Sequence, residues 1–159
     1  MNFVMLRQKD KASDINQIKN LKTLATDMGR SSQCWIHAYV VCRDTEKEAR
    51  DYLHHYVVER GDDVAVKNML DIFGLQSKTL EPAVLDDFKY HFKAGHGGYP
   101  LVGTPEQIVL DIKRLSQMGV DGILLSWVDY LKEAQEWIEQ VIPLLEEAEL
   151  RQPFDPSKT

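Results

Sequence analysis

At 159 residues the chain fits a single domain with enough surface to bury a core. With 43% hydrophobic and 28% charged residues, nine glycines and six prolines, it sits with globular sequences rather than disordered or fibrous ones. A net charge of −6 with 19 scattered Lys and Arg residues argues against a groove that tracks a nucleic-acid backbone. No apolar run approaches the roughly 18–20 residues of a membrane span. The opening MNFVMLRQKDK puts its apolar patch before its charges, the reverse of a signal peptide's order, so a cytoplasmic location is expected.

NFVML (2–6) predicts a short strand. Ser13 then offers an N-cap to a helix in which Ile15, Ile18, Leu21, Ala25 and Met28 recur at helical spacing until Gly29. CWIHAYVVC (34–42), rich in β-branched and aromatic residues, predicts a second strand. Its alternation puts His37, Tyr39 and Val41 on one face and Ile36, Ala38, Val40 and Cys42 on the other. Cys34 and Cys42, at its two ends, would stand about 26 Å apart, whereas a disulfide needs Cα atoms within about 7 Å. Both are expected as reduced core thiols. Thr45 and Glu48 form a capping box that opens a helix with Ala49, Tyr52, Leu53 and Tyr56 inward and an end near Gly61.

Residues 62–93 break this rhythm with two helical patterns, VAVKNMLDIF and AVLDDFKYHF, punctuated by Gly74 and Pro82. A stretch that long reads as an insertion with its own structure, since unstructured loops rarely exceed about 12–15 residues. Gly95 to Tyr99 then reads as a flexible loop, and Val102 to Gln107 as helix capping built on Thr104, Pro105 and Gln107. Ile108, Val109, Ile112 and Leu115 continue that helix to a stop at Gly119. A phosphate cradle needs glycines leading from a strand straight into a helix. Here Tyr99, Pro100, Leu101 and Val102 intervene, which leaves Gly103-Thr104 as the remaining phosphate candidate. VDGILLS (120–126) predicts a strand buried on both faces, because its apolar run does not alternate. The last helix starts near Asp129, carries Leu131, Ala134, Trp137, Ile138, Val141 and Leu145, and is expected to kink at Pro143. Residues 1–150 form one domain, with the insertion at about 62–100, and 151–159 a frayed tail.

Strands alternating with amphipathic helices predict parallel βα units with right-handed crossovers. Three strands leave two unpaired sheet edges, and a closed barrel takes eight units and about 250 residues. The chain is therefore either a compact three-stranded α/β protein or part of something larger.

Specific residues point to the second. GGYPLVGTPEQIVLDIKRLSQMGVDGILLSWVDYLKEAQEWIEQVIPLLEEA (97–148) resembles the C-terminal end of the bacterial-luciferase-like, flavin-dependent monooxygenases. Within that family it is most similar to the branch of alkanesulfonate, dimethylsulfone and pyrimidine monooxygenases. VGTPEQI, MGVDGILLSW, DYLKEAQEW and VIPLL carry the match. Upstream, HAYVVCRDTEKEARDYL resembles the family's seventh strand and following helix, and MNFVML its sixth strand. The resemblance implies an α/β fold comprising the last three βα units of a TIM (β/α)8 barrel with a helical insertion, incomplete as an isolated chain. It implies a reaction in which reduced FMN, supplied by a separate flavin reductase, and O2 oxygenate a small organic or organosulfur substrate. Most groups that grip the flavin would come from earlier strands, so the chain would work with an N-terminal barrel half or a second copy.

Chemistry in such a barrel gathers at the C-terminal ends of the strands. The pocket candidates are His37 and Tyr39 on the barrel-facing side of the second strand, His96, Gly97, Gly98 and Tyr99 from the glycine-rich loop, and Ser126 and Trp127 after the last strand. Tyr39 falls where the alkanesulfonate branch has a pocket histidine. The competing roles are interior packing and hydrogen bonding for His37 and Tyr39, closure of the last helix by Ser126, and lid packing by Trp127. His54 and His55 are adjacent rather than i, i+4, and His91 and His96 lack acidic or Cys partners at ligand spacing, so no metal site is expected. Asp86-Asp87 and Glu146-Glu147 read as solvated helix faces. Two further readings remain open: a non-catalytic oligomerising or binding module derived from such a barrel, and an independent small nucleotide-binding α/β domain.

Overall fold

The computed structural model describes residues 2–3, 11–74 and 81–158. Its sheet is built around one long strand. β2 (Cys34–Cys42) pairs in parallel with β1 (Asn2–Phe3), β3 (Tyr99–Gly103) and β4 (Gly122–Ser126). Trp35 is opposite both Phe3 and Gly122, and Ala38 is opposite both Tyr99 and Leu125. β4 therefore occupies one edge of β2, while β1 and β3 share the other, β1 at its start and β3 at its end.

β3 corrects the reading of residues 95–102 as loop and cap. YPLVG is a strand, and it raises the sheet from three strands to four. Residues 4–6 of the first predicted strand lie outside the described residues. β4 also departs from expectation: its residues are only partly buried, and Leu124 is 53% exposed. The helices bury one face of this strand, and on the other Trp35 and His37 meet Gly122 and Ser126 while Leu124 stands open.

The helices follow their caps. α2 (Glu46–His54) starts at the Thr45–Glu48 capping box and runs into a π-helical turn at His55–Glu59. α5 (Pro105–Gln117) starts at a second capping box, Thr104–Gln107, with proline in its first turn. α1 (Lys11–Asp27) already includes Ser13, so that serine lies inside the helix rather than at its cap. The insertion folds as α3 (Asp63–Ile72) and α4 (Pro82–Gly95). The expected kink at Pro143 is a full break: α6 (Tyr130–Gln140) ends before it, and α7 (Ile142–Glu147) restarts with Pro143 in its first turn. There the missing N–H costs nothing, because first-turn amides have no intrahelical partner.

The two faces of β2 feed two cores. Ile36, Ala38 and Val40 pack with Ile18 of α1, Ile108 and Leu115 of α5, and Trp137, Val141 and Leu145 at and around α6 and α7. Tyr39 and Val41 pack on the opposite side with Ala49 and Leu53 of α2, Val57 of the π-turn and Ala94 of α4. Both faces match the predicted alternation. Of the insertion helices, α4 packs on this second face through Ala94, while α3 packs on α4 around Val66, Leu70 and Leu85. Cys34 and Cys42 carry free thiols, and burial pushes that of Cys42 up to about 11. At neutral pH it is therefore a protonated, inert thiol.

Candidate functional site

The incompletely covered face of β2 carries Trp35 and His37, and the register places Gly122, Leu124 and Ser126 of β4 opposite Trp35, His37 and Tyr39. The indole of Trp35 lies over Gly122, where a Cβ would come within 2.4 Å of the ring. His37 Nε2 stands 3.0 Å from Ser126 Oγ, and Ser126 Oγ lies 3.4 Å from the Ala38 carbonyl. Burial, and secondarily the neighbouring His96, hold the His37 imidazole below its ordinary pKa. It is thus neutral at pH 7, with one ring nitrogen able to accept.

α4 brings the glycine-rich turn over this face. The helix closes on His96, which adopts the left-handed conformation (φ 50°), followed by Gly97 at φ 75°. Gly95 lies against Tyr39, and Gly98 lies against His37 so closely that a Cβ there would stand 2.8 Å from Nδ1. Glycine at 98 therefore serves close approach of backbone to ring, not turn geometry. Tyr39 is 2% exposed, and its hydroxyl lies 3.0 Å from His91 Nδ1 on α4. Burial holds the phenol well above its usual range, so it stays protonated.

His37, Tyr39, His96, Gly97, Gly98 and Ser126 thus lie on one side of β2. Tyr99 and Trp127 do not join them. Tyr99 leans to the other side of the sheet, into the core under α1 and α5. Trp127 packs edge-on against Tyr130 and Trp137 on that same side. Its indole N–H is buried without a hydrogen-bond partner among the described residues. The last helix is capped by Asp129, which accepts from the Leu131 and Lys132 amides, rather than by Ser126.

Two groups at the site escaped sequence reasoning. Sequence spacing gives His91 no partner, yet α4 sets its Nδ1 3.0 Å from the Tyr39 hydroxyl and holds Asp87 one turn before it, 3.9 Å from Nε2. Arg43, just past β2, donates to Glu133 Oε1 at 2.8 Å and stacks 4.0 Å over the Tyr52 ring. The other oxygen of Glu133 accepts from the Val128 and Asp129 amides at 3.1 and 2.9 Å. This fixes the loop that follows Ser126. Among the described residues no group of three or more His, Cys, Asp or Glu side chains could hold a metal ion, and no helix is long and apolar enough to cross a membrane.

A parallel sheet with helices packed on it defines an α/β fold. Comparison with known proteins finds partial relatives among flavin-dependent monooxygenases. The chain is 29% identical over 147 residues to the FMNH2-dependent dimethylsulfone monooxygenase of Pseudomonas putida, an alignment covering 84% of this chain and 38% of that protein. It is 26% identical over 167 residues to the sulfoquinovose monooxygenase of Agrobacterium fabrum, covering 95% of this chain and 43% of that one. No family model matches. Among solved structures, a riboflavin lyase with modified FMN and riboflavin superposes with a TM-score of 0.75 at 21% identity, over 96% of this chain and 40% of that one. DmoA from Hyphomicrobium sulfonivorans superposes with a TM-score of 0.75 at 16% identity, over 97% and 39%. The homologues are thus dimethylsulfone and sulfoquinovose monooxygenases, and the fold is the one shared with these solved enzymes. The chain spans about two-fifths of the length of the relatives it matches.

Proposed function

We propose that the chain forms the C-terminal wall of an FMN-dependent monooxygenase barrel of the luciferase-like class, contributing part of a pocket in which reduced flavin and O2 oxygenate a small organic or organosulfur molecule. The observation that carries this reading is the partly open sheet face. It presents a hydrogen-bonded His37–Ser126 pair beside Leu124, an apolar side chain left 53% exposed, on a chain whose relatives are about two and a half times as long. A surface combining uncovered apolar area with convergent polar groups is what a wall of a larger cavity looks like when seen alone.

The residues present fit one edge of a planar, hydrogen-bonding ring. Trp35 and Leu124 provide apolar surface, and His37, Ser126 and His96 provide polar groups around it. When bound, reduced flavin supplies the electrons that activate O2. The part of this chain is to orient ring and substrate and to exclude water from one side.

The test is complementation. This chain would be co-expressed with the N-terminal three-fifths of the P. putida dimethylsulfone monooxygenase, purified as a complex, and assayed for FMNH2-dependent O2 uptake with dimethylsulfone and with larger organosulfur compounds. Substrate-stimulated uptake that falls in His37→Ala and Ser126→Ala supports the reading. A stable complex that ignores both reduced FMN and substrate overturns it. The outer edge of β4, unpaired among the described residues, favours one second reading, a non-catalytic module that pairs with a copy of itself. Light scattering that shows a discrete homo-oligomer, unchanged by the N-terminal half, would favour that reading.

A further inference from the structure

The insertion helices and the π-turn that follows α2 frame a cavity of about 350 Å3 that shares only His96 with the face described above. That volume lies at the lower end of the range of about 300–1,000 Å3 usual for small-molecule sites. Its apolar lining is Tyr56, Val66, Met69 and Phe92. The π-turn, a feature frequent at functional sites, supplies Tyr56 and closes on Arg60, which also lines the cavity. The chain reverses at Gly61 because it carries no side chain there: a Cβ would run into the Val57 carbonyl and the Lys93 stem. The charges around the cavity are committed to one another, with one exception. Asp62 accepts from the Ala65 amide at 2.8 Å, Asp63 accepts from Lys93 Nζ at 2.8 Å, and Glu59 stands 2.7 Å from His55 Nδ1. Lys93 is thereby neutralised, with its side chain only 15% exposed. The Arg60 guanidinium has no hydrogen bond or ion pair among the described residues.

We propose that this cavity binds a small amphiphilic monoanion, with its apolar body against Tyr56, Val66, Met69 and Phe92 and its carboxylate or sulfonate on Arg60. An apolar lining alone would take any hydrocarbon of the right size. An uncommitted guanidinium beside it favours one that ends in an oxyanion, to which its fork donates two parallel hydrogen bonds. One uncompensated cation calls for one negative charge, because a dianion would leave a charge facing the Asp62 carboxylate, which also lines the cavity. A solvent-exposed ion pair is weak by itself; here the apolar area removed from water holds the ligand, and the guanidinium sets which end of it carries the charge. The π-turn, α3 and α4 build this site by themselves, so it stands apart from the monooxygenase reading and needs neither flavin nor an N-terminal half.

The test is an NMR titration of the full chain labelled with 13C-methyl methionine, with octanoate, octanesulfonate and uncharged octanol as probes. The anions should shift the Met69 methyl signal saturably and leave that of Met28, exposed at the end of α1, in place. Octanol should bind about tenfold more weakly, the worth of a charge-assisted hydrogen bond, and the tighter of the two anions names the oxyanion. Arg60→Met, at an exposed position, should lower the affinity for the anions about tenfold, to the level of octanol, at unchanged thermal stability. Ala65→Leu, at an exposed lining position on α3, should weaken all three probes by occupying part of the cavity. Anions that bind no more tightly than octanol, or that keep their affinity in Arg60→Met, overturn the oxyanion assignment. A Met69 signal that moves no more than that of Met28 up to millimolar probe overturns the site itself.

Discussion

Removing the carboxylate of Glu133 should release the loop between β4 and α6 and cost the chain a substantial share of its stability. Glu133 is 6% exposed and serves three donors, Arg43 at 2.8 Å through one oxygen and the Val128 and Asp129 amides at 3.1 and 2.9 Å through the other. Breaking a buried pair from one side costs about 3–5 kcal/mol. The Arg43 side chain is 25% exposed and can rehydrate, which lowers the expected loss for Glu133→Ala to about 2–4 kcal/mol, including two part-buried amides left without an acceptor. For a chain of this size that is a fall in melting temperature of roughly 5–15 °C. Glu133→Gln keeps one carbonyl oxygen for the two amides and turns its NH2 toward the guanidinium, so it should cost about half as much. Urea unfolding with linear extrapolation gives the loss. A double-mutant cycle with Arg43→Met isolates the pair, which should couple by more than about 1 kcal/mol. A Glu133→Ala variant within about 0.5 kcal/mol of the parent would refute the assignment of this carboxylate as the tie between β2 and the α6 loop.

Gly98→Ala puts a Cβ 2.8 Å from His37 Nδ1, so the ring must swing off Ser126. Overpacking of this kind costs about 1–3 kcal/mol, and the His37 side-chain NMR signals should move while those of His54 and His55 stay. Leu101, fully buried, should lose about 2–5 kcal/mol on Leu101→Ala, whereas the half-exposed Leu124 should lose under about 1 kcal/mol in the chain alone. Equal losses at the two positions would mean that the Leu124 face of β4 is covered after all. Burial works to raise the Asp121 carboxyl, but the Lys22 ammonium at 2.7 Å and the Cys34 amide at 2.8 Å hold it below its ordinary value. Its contribution is therefore complete above about pH 4 and lost as pH falls through its lowered folded value. Urea midpoints measured from pH 6 to pH 2 should show a shallower acid limb for Asp121→Asn; parallel limbs would contradict this.

What was legible in the sequence was local. Both capping boxes close within three residues, so Thr45–Glu48 and Thr104–Gln107 could be read directly and are present. The alternation along residues 34–42 assigned both faces of β2, because period-two burial needs only the strand itself. β3 was not legible. YPLVG holds a proline and a glycine within five residues, poor strand composition by itself. It pairs because β2 offers residues 38–42, and the missing amide of Pro100 is tolerated on a strand that, among the described residues, pairs along one edge. The open side of β4 was misread for the complementary reason. An unbroken apolar run signals two buried faces only if something covers both, and no local pattern in VDGILLS says whether the cover belongs to the same chain. Likewise Tyr39 and His91 lie 52 residues apart and Arg43 and Glu133 lie 90 apart, separations over which spacing carries no information.

The two faces of β2 explain why chemistry should sit on one and not the other. On the helix side, Cys34, Ile36, Ala38 and Val40 are each at most 2% exposed among apolar neighbours, where a polar group would have no partner and would cost more than its hydrogen bond returns. On the opposite side, each ring that β2 presents meets a specific polar or aromatic partner supplied from elsewhere: Gln33 for Trp35, Ser126 for His37, His91 for Tyr39. Such partnering does little for net stability, since each exchange against water returns only about 0.5–1.5 kcal/mol. Its effect is to fix ring orientation. Stability alone would be served as well by aliphatic residues at 37 and 39, as it is at 36, 38 and 40. Under the proposed function that row of partnered rings is what the chain would present to a ligand, and substitutions that keep volume but remove polarity, such as His37→Leu, should leave the fold intact while lowering activity in the complemented complex.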